Sequence, residues 1–222
     1  MASEIITVGI LNHDNNVYEK YAGQSIKTLD GNFDLIIEEN KNPAQAYNDI
    51  ILKSKNRYIV LLHADVTFSK EFLTNIKQSI DQQPNFGALC CVGVIRSPLG
   101  KIKIITSEFK RQHKVVTADS CCLIINKQHN LLFDSNLFDE YHMYIEDYCT
   151  QIRFNLNLKI YTLFSNWIWI DDYKETLKEN LDVNNWFVHH SHTFRAKGAK
   201  WGKWALYKNK LDAKWGRKII TT

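Results

Sequence analysis

A run of five apolar residues, Tyr58-Ile59-Val60-Leu61-Leu62, constrains the fold of this chain more than any other feature. Consecutive aromatic and β-branched side chains cannot alternate between core and water, so a strand built from them is covered on both faces. That is the pattern of a parallel sheet layered between helices. The run leads directly into His63-Ala64-Asp65-Val66, which sets an imidazole and a carboxylate two residues apart at the strand's carboxyl edge. Open α/β sheets bind their ligands at that edge. A turn capped by Asp65 is the plainer reading of the same residues.

The neighbouring segments supply the rest of such a sheet. Ile5 to Leu11 reads as a first strand ending at Asn12-His13-Asp14, followed by a helix over 17–27 with Asn16 as its N-cap. Phe33 to Ile37 is a second strand, ending in Glu38-Glu39-Asn40. Asn42 before Pro43 starts a helix, because proline at the first helical position sacrifices no hydrogen bond. Ala46, Tyr47, Ile50 and Ile51 then form its apolar stripe. Ser69 is placed to cap a helix carrying Phe72, Leu73, Ile76 and Ile80, and Phe86 to Val94 is a fourth strand. This βαβαβαβ alternation predicts an α/β fold with a parallel sheet, helices on its faces and right-handed crossovers.

The second half is less regular. Val115 to Ile125 reads as a strand interrupted by Asp119-Ser120, and the acidic, aromatic stretch Asp134 to Tyr144 as a loop over the site. Glu146-Asp147 opens a helix to about Asn155, where carboxylates suit the helix dipole. Strands near 159–163 and 166–170, a helix around 171–180, and Trp186-Phe187-Val188 leading into His189-His190-Ser191-His192 complete the pattern.

A length of 222 residues suits one domain of ordinary size, and only three prolines and nine glycines argue against long linkers. No run of about 18 apolar residues predicts a membrane span. The amino terminus passes into a strand with no basic region or cleavage site, so the expected location is the cytoplasm. The odd set Cys90, Cys91, Cys121, Cys122 and Cys149 lacks a Cys-x-x-Cys spacing, which favours buried reduced thiols over disulfides or zinc.

Three clusters far apart in sequence can converge at one sheet edge: His63/Asp65, Glu146/Asp147 and His189/His190/His192. Imidazole and carboxylate together suit a borderline divalent ion such as Mn²⁺. A carboxylate outside the metal's coordination could accept a proton from an attacking hydroxyl.

With these features the chain resembles the family 2 nucleotide-sugar-dependent glycosyltransferases of GT-A fold. The resemblance rests on Ile6 to Asn12, Glu38 and Glu39, Asn42-Pro-Ala-Gln-Ala-Tyr-Asn48, Tyr58 to Val66, Asp119 to Ile125, Phe133-Asp134, Phe138-Asp139-Glu140, Ile145 to Cys149, and His189-His-Ser191. It covers roughly residues 5–195 and implies a Rossmann-like, mixed but mainly parallel sheet flanked by helices on both faces. It further implies a UDP- or GDP-sugar donor and a divalent ion, Mn²⁺ or Mg²⁺. His63-Ala64-Asp65 matches the Asp-x-Asp motif, with His63 where aspartate is commoner, and Asp65 and His63 as metal ligands. Glu38 or Glu39 matches the acid that recognises the nucleoside, with Leu11-Asn12 beside the base and Asn48 lining the nucleotide pocket. Asp147 matches the catalytic base of inverting members, with Glu146 beside it. A histidine of 189–192, taken as His190, matches the late ligand to metal and diphosphate.

The net charge of +4 conceals an asymmetry. From Thr193 onward nine Lys/Arg face one acid, Asp212, so the tail carries +8 and the remainder −4. Residues 1–195 are therefore read as the GT-A domain and 196–222 as a basic, Trp-rich helical segment packed on it or appended to it. On a helical wheel Trp201, Trp204, Leu211 and Trp215 fall on one side and the lysines largely on another, as in a helix lying on an anionic membrane. Packing of the tryptophans on the domain explains the same pattern. Charge confined to one segment points away from nucleic acid.

The expected function is transfer of a hexose-type sugar from a nucleoside-diphosphate donor to a hydroxyl of a glycan or lipid-linked acceptor, in glycan or surface polysaccharide synthesis. The rivals are a non-catalytic sugar-nucleotide-binding domain and a metal-dependent nucleotidyltransferase. The latter expects a glycine-rich basic loop, which Leu11-Asn12-His13-Asp14-Asn15 is not.

Overall fold

The apolar run at 58–62 divides between two cores. Ile59 and Leu61 join one buried cluster, and Tyr58, Val60 and Leu62 join another on the opposite face. A computed structural model describes residues 4–39, 42–96, 101–108, 110–171, 186–191, 199–217 and 219–220. β1 (Ile6–Asn12), α1 (Asn15–Lys20), α2 (Ala22–Thr28), β2 (Phe33–Glu39), α3 (Pro43–Lys53), β3 (Tyr58–His63) and β4 (Val66–Phe68) come first. Next are α4 (Phe72–Gln82), β5 (Phe86–Cys90), β6 (Val92–Arg96), β7 (Ile102–Thr106), β8 (Lys114–Val115), β9 (Thr117–Ala118) and β10 (Cys122–Asn126). α5 (Tyr144–Phe154), β11 (Lys159–Thr162), β12 (Asn166–Asp171), β13 (Trp186–Ser191) and α6 (Ala199–Trp215) follow.

The main sheet has the order β2-β1-β3-β10-β5-β11-β8. β1 runs parallel to both β2 and β3, and β5 runs parallel to β11. β10 lies antiparallel between β3 and β5, so the simple parallel continuation expected from the first half does not occur. The expected fourth strand over 86–94 divides at Cys91. Its first half stays in the main sheet, while its second half pairs with β7 and β9 in a separate three-stranded sheet. The expected strand over 115–125 likewise divides, placing β8, β9 and β10 in different pairings. A third small sheet, β12-β13-β4, carries the late histidines back to the end of β3.

Helices cover both faces. α3, α5 and α6 contribute Tyr47, Ile50, Tyr148, Ile152, Tyr207 and Leu211 to one core. α2 and α4 contribute Ala22, Phe72, Leu73 and Ile76 to the other. At Gly9 a Cβ would collide with the Ile50 side chain, so the missing side chain lets α3 approach β1 closely. Asn42 caps α3 as expected, its Oδ1 accepting from Ala44 N at 2.9 Å and Gln45 N at 3.4 Å. The first helix instead takes Asp14 as its cap, through Asn16 N at 2.8 Å and Val17 N at 3.4 Å, and it breaks at Tyr21. Ser69 makes no side-chain cap; Glu71 stands at the N-cap of α4. α5 begins at Tyr144, two residues before the acidic pair, after Met143 in the left-handed region at φ 66°.

All five cysteines are free and buried. Burial pushes the Cys90, Cys91 and Cys121 thiols well above their ordinary range, which leaves them poor nucleophiles. Among the described residues no helix is long and apolar enough to cross a membrane. The helix expected around 171–180, together with His192, lies outside the described residues.

Candidate active site

Parallel pairing aligns the carboxyl ends of β1, β2 and β3: Leu11 lies opposite His63, and Asn12 opposite Glu39. β13 reaches the same edge by pairing antiparallel with β4, and His190 N donates to Asp65 O at 2.8 Å. Successive strand residues face opposite sides, so only one of the two histidines can turn to the Asp65 side chain. It is His189. Its Nε2 lies 3.5 Å from Asp65 Oδ1, and His63 Nδ1 lies 3.8 Å from the same oxygen. Ligand atoms of His63, Asp65 and His189 all fall within 4.8 Å of one another. The expected ligand His190 is elsewhere: its ring stacks on Tyr21 at 4.1 Å, and its Nε2 lies 2.9 Å from Thr67 Oγ1.

The electrostatics of this trio suit a cation. Asp65 is 5% exposed, and its Oδ1 has no hydrogen-bond partner among the described residues. A buried carboxylate oxygen without a donor is costly unless something positive completes it. Burial pushes the Asp65 carboxyl up, but His189 and the charge of His63 outweigh it and hold the group at about 2. Burial lowers His63 to about 4 against the pull of Asp65, which leaves a neutral imidazole with a lone pair to offer. His189 is shifted the other way, burial being outweighed by its contact with Asp65. One carboxylate and two imidazoles fit a borderline divalent ion. Asp119 approaches from the loop before β10 and groups with Cys121 and His189 at ligand spacing. The sequence signal for Asp119 is the polar break it makes with Ser120 in an apolar run, a pattern that by itself names no role.

The carboxylate pair at the start of α5 separates. Asp147 is fully buried beneath α6, where Oδ1 accepts from Trp215 Nε1 at 2.8 Å and Oδ2 from Lys214 Nζ and Gln151 Nε2, each at 2.9 Å. Three donors thus surround Asp147 and tie it to α6 and to Gln151 of its own helix. Glu146 lines a cavity of about 260 Å³ with Asp119, Ser120, Tyr141, Tyr144 and Trp204. This cavity adjoins the trio, since Tyr144 Oη lies 3.4 Å from His63 Nε2.

The sequence matches the model of glycosyl transferase family 2 over residues 14–156. The chain belongs to glycosyl transferase family 2. No curated protein sequence matches it at a significant level. Among solved structures, GalNAc-T7 with UDP, GalNAc and Mn²⁺ is similar at TM-score 0.59 and 8% identity, over 85% of this chain and 44% of that one. The mannosyltransferase PcManGT from Pyrobaculum calidifontis, in complex with GDP-Man and Mn²⁺, is similar at 0.58 and 12% identity, over 99% and 66%. S. aureus TarS 1–349 in complex with UDP is similar at 0.51 and 14% identity, over 73% of this chain; the chain spans 58% of TarS 1–349. The shared feature is the GT-A fold: a mixed, mainly parallel sheet with flanking helices.

In this family 2 chain the remaining expected nucleotide contacts also separate. Asn12 and Glu39 stand together at the edge, with Asn12 Nδ2 3.5 Å from Glu39 Oε1, and Asn12 Oδ1 is buried without a partner among the described residues. Leu11 is buried in the core and offers only its backbone to the edge. Glu38 is buried and ion-paired with Lys53. Ala64 is buried, its carbonyl accepting from Ala22 N. Asn48 directs its amide at the backbone of Phe133, donating to O at 2.9 Å and accepting from N at 2.8 Å. It clamps the segment before the cavity to α3. β13 and α6, which supply His189, Trp204 and Lys214, lie beyond the matched range.

Proposed function

We propose that this chain transfers a hexose-type sugar, with inversion, from a UDP- or GDP-linked donor to an acceptor hydroxyl, with a divalent ion, Mn²⁺ or Mg²⁺, at His63, Asp65 and His189. The observation that carries this reading is Asp65 Oδ1, buried between two imidazoles and without a hydrogen-bond partner among the described residues, in a family 2 chain. The complexes of TarS with UDP, GalNAc-T7 with UDP and Mn²⁺, and PcManGT with GDP-Man and Mn²⁺ support the choice of donor class and metal.

Asn12 and Glu39 meet the nucleoside at the ends of β1 and β2. His63, Asp65 and His189, with Asp119 beside them, would hold a divalent ion, which when bound would supply positive charge for the diphosphate leaving group. Glu146 takes the proton of the acceptor hydroxyl while that oxygen attacks the anomeric carbon. The bonding pair of the old glycosidic bond leaves with the nucleoside diphosphate. Asp147 is left out of the chemistry and holds α6 against α5.

A cytoplasmic location and a glycan or lipid-linked acceptor belong to the same reading. For peripheral membrane contact through 196–218, the apolar side of the wheel is largely spent: Leu211 is in the core, and Trp204 and Trp215 pack against it. The lysine side is also engaged in large part, Lys203, Lys208 and Lys214 pairing with Glu140, Asp212 and Asp134.

Turnover of UDP- and GDP-sugars by the whole chain, with and without Mn²⁺, tests the proposal. Metal-dependent release of nucleoside diphosphate that vanishes in Asp65→Ala is the expected result. Metal-dependent binding with no turnover on any donor would favour a non-catalytic binding domain, and no binding at all would overturn the reading.

A further inference from the structure

The cavity beside Glu146 is built by two segments fastened together. Four residues of α6, at successive turns of one helix face, tie down the loop that follows β10. Lys203 pairs with Glu140 at 2.8 Å, Tyr207 hydrogen-bonds Asp139, Lys210 donates to Leu137 O at 3.3 Å, and Lys214 pairs with Asp134 at 2.8 Å. The spacing of 203, 207, 210 and 214 is that of a helical seam. This seam presents Trp204 to the cavity on one side, and the loop presents Tyr141 on the other.

The lining has a definite chemical character. The rings of Tyr141, Tyr144 and Trp204, the His142 imidazole, the carboxylates of Glu146 and Asp119, and the Ser120 hydroxyl line about 260 Å³, below the roughly 300–1,000 Å³ typical of drug-sized ligands and enough for one sugar ring. Apart from His142, which shares the lining with two carboxylates, the described lining residues include no basic side chain. A phosphate-bearing acceptor needs such donors or an open helix N-terminus, whereas the first turn of α5 already carries Glu146 and Asp147. Tyr141 is half exposed, so its ring is available to a ligand.

Building on the transferase reading above, we infer that this cavity is the acceptor site and that it takes a neutral sugar. The apolar face of the pyranose packs against Trp204 and Tyr141, as aromatic rings accept C–H faces, and one of its hydroxyls reaches Glu146. The basic tail thus acts as the back wall of the acceptor site, and its charges fasten the wall in place.

Ligand-observed NMR on the whole chain, with Mn²⁺ and UDP or GDP present, tests this. The probes are methyl glucoside, methyl galactoside, methyl mannoside and methyl N-acetylglucosaminide, set against farnesyl phosphate and glycerol 3-phosphate. At least one neutral glycoside should bind the wild type, lose about tenfold or more in affinity in both Trp204→Ala and Tyr141→Ala, and recover in Trp204→Phe. Nucleotide affinity, read in the same samples, should hold in all three variants. Tyr141 lies on an exposed loop, so its variant keeps the test alive if Trp204→Ala fails to fold. Binding of a phosphate probe with no glycoside, glycoside binding indifferent to both variants, or no glycoside binding would each overturn the inference. If nucleotide still binds with Mn²⁺ in those cases, the transferase reading survives; if nucleotide fails to bind the wild type, that reading falls first.

Discussion

Asp65 and Asp147 are both buried aspartates, and their surroundings could hardly differ more. Asp147 is enclosed by Lys214, Trp215 and Gln151, three donors at 2.8–2.9 Å. Asp65 has two imidazoles at 3.5 and 3.8 Å, and its Oδ1 has no hydrogen bond of good geometry among the described residues. The first is a finished interaction and the second an unfinished one. Burial alone therefore does not mark a functional carboxylate; the state of its hydrogen bonds does. A buried charge whose hydrogen bonds are filled is committed to its neighbours, while one with an oxygen left over keeps a place for a ligand.

The largest expected effect follows from breaking the unfinished side. Asp65→Asn should abolish Mn²⁺-enhanced donor binding and lower turnover by about 10²–10³-fold or more. Because the two imidazoles hold the Asp65 carboxyl at about 2, below its ordinary 3.8, its charge adds stability at neutral pH, and the melting temperature without metal should fall modestly while the fold survives. Donor binding that keeps its Mn²⁺ enhancement would mean that Asp65 is structural after all. Glu146→Gln should lower turnover by about 10²–10⁴-fold with donor affinity kept, measured as kcat against donor Kd. Full activity in that variant would move the base elsewhere.

The finished side should respond in stability. Asp147→Ala leaves Lys214 and Trp215 without their acceptor and should cost about 3 kcal/mol in denaturant unfolding, while the folded enzyme keeps turnover within a few-fold. Loss of turnover with unchanged stability would exchange the roles of the two acids. Asn48→Ala strands the backbone groups of Phe133 and should cost about 1–3 kcal/mol, with nucleotide affinity unchanged. The smallest effect lies at Asp134. Burial pushes its carboxyl up, but the Lys214 contact and backbone donors hold it below its ordinary 3.8. A carboxyl lowered in the folded state adds stability that is fully present above the ordinary value and is lost as pH falls through the lowered one. Asp134→Asn should flatten the acid limb of the stability curve below about pH 4, by under about 1 kcal/mol given its exposure. An unchanged limb would show that the pair contributes nothing.

Much of the scaffold could be read locally, because local rules set it. The two-faced burial of 58–62, the Asn42-Pro43 helix start and a helix from Glu146-Asp147 to about Asn155 follow from local spacing, capping and the helix dipole, although α5 starts two residues earlier. The insertion of β10 between β3 and β5 could not be read, since strand order is decided by long-range pairing that no local pattern encodes. Cys91, where one apolar run divides between two sheets, carries no turn residue to announce it. At the site the same division holds. Sequence brought His63, Asp65 and the late histidines together as chemistry, but His189 and His190 are separated by strand parity, which depends on register against β4. Glu146 and Asp147 are separated by roughly 100° around a helix, and only the position of α6 says which of them is covered. Asn48 resembled a pocket residue because its type and position suit one, yet its amide was already committed to the backbone of Phe133.

The central claim is that the unfinished carboxylate is the ligand site and the finished one is scaffold. Calorimetric titration of Mn²⁺ with UDP and with GDP into wild type, Asp65→Asn and Asp147→Asn, with melting recorded on the same samples, tests it directly. The account predicts that Asp65→Asn stays folded but loses metal-dependent binding, whereas Asp147→Asn binds as wild type and melts lower. Wild-type binding in Asp65→Asn, or lost binding in a fully stable Asp147→Asn, would contradict it.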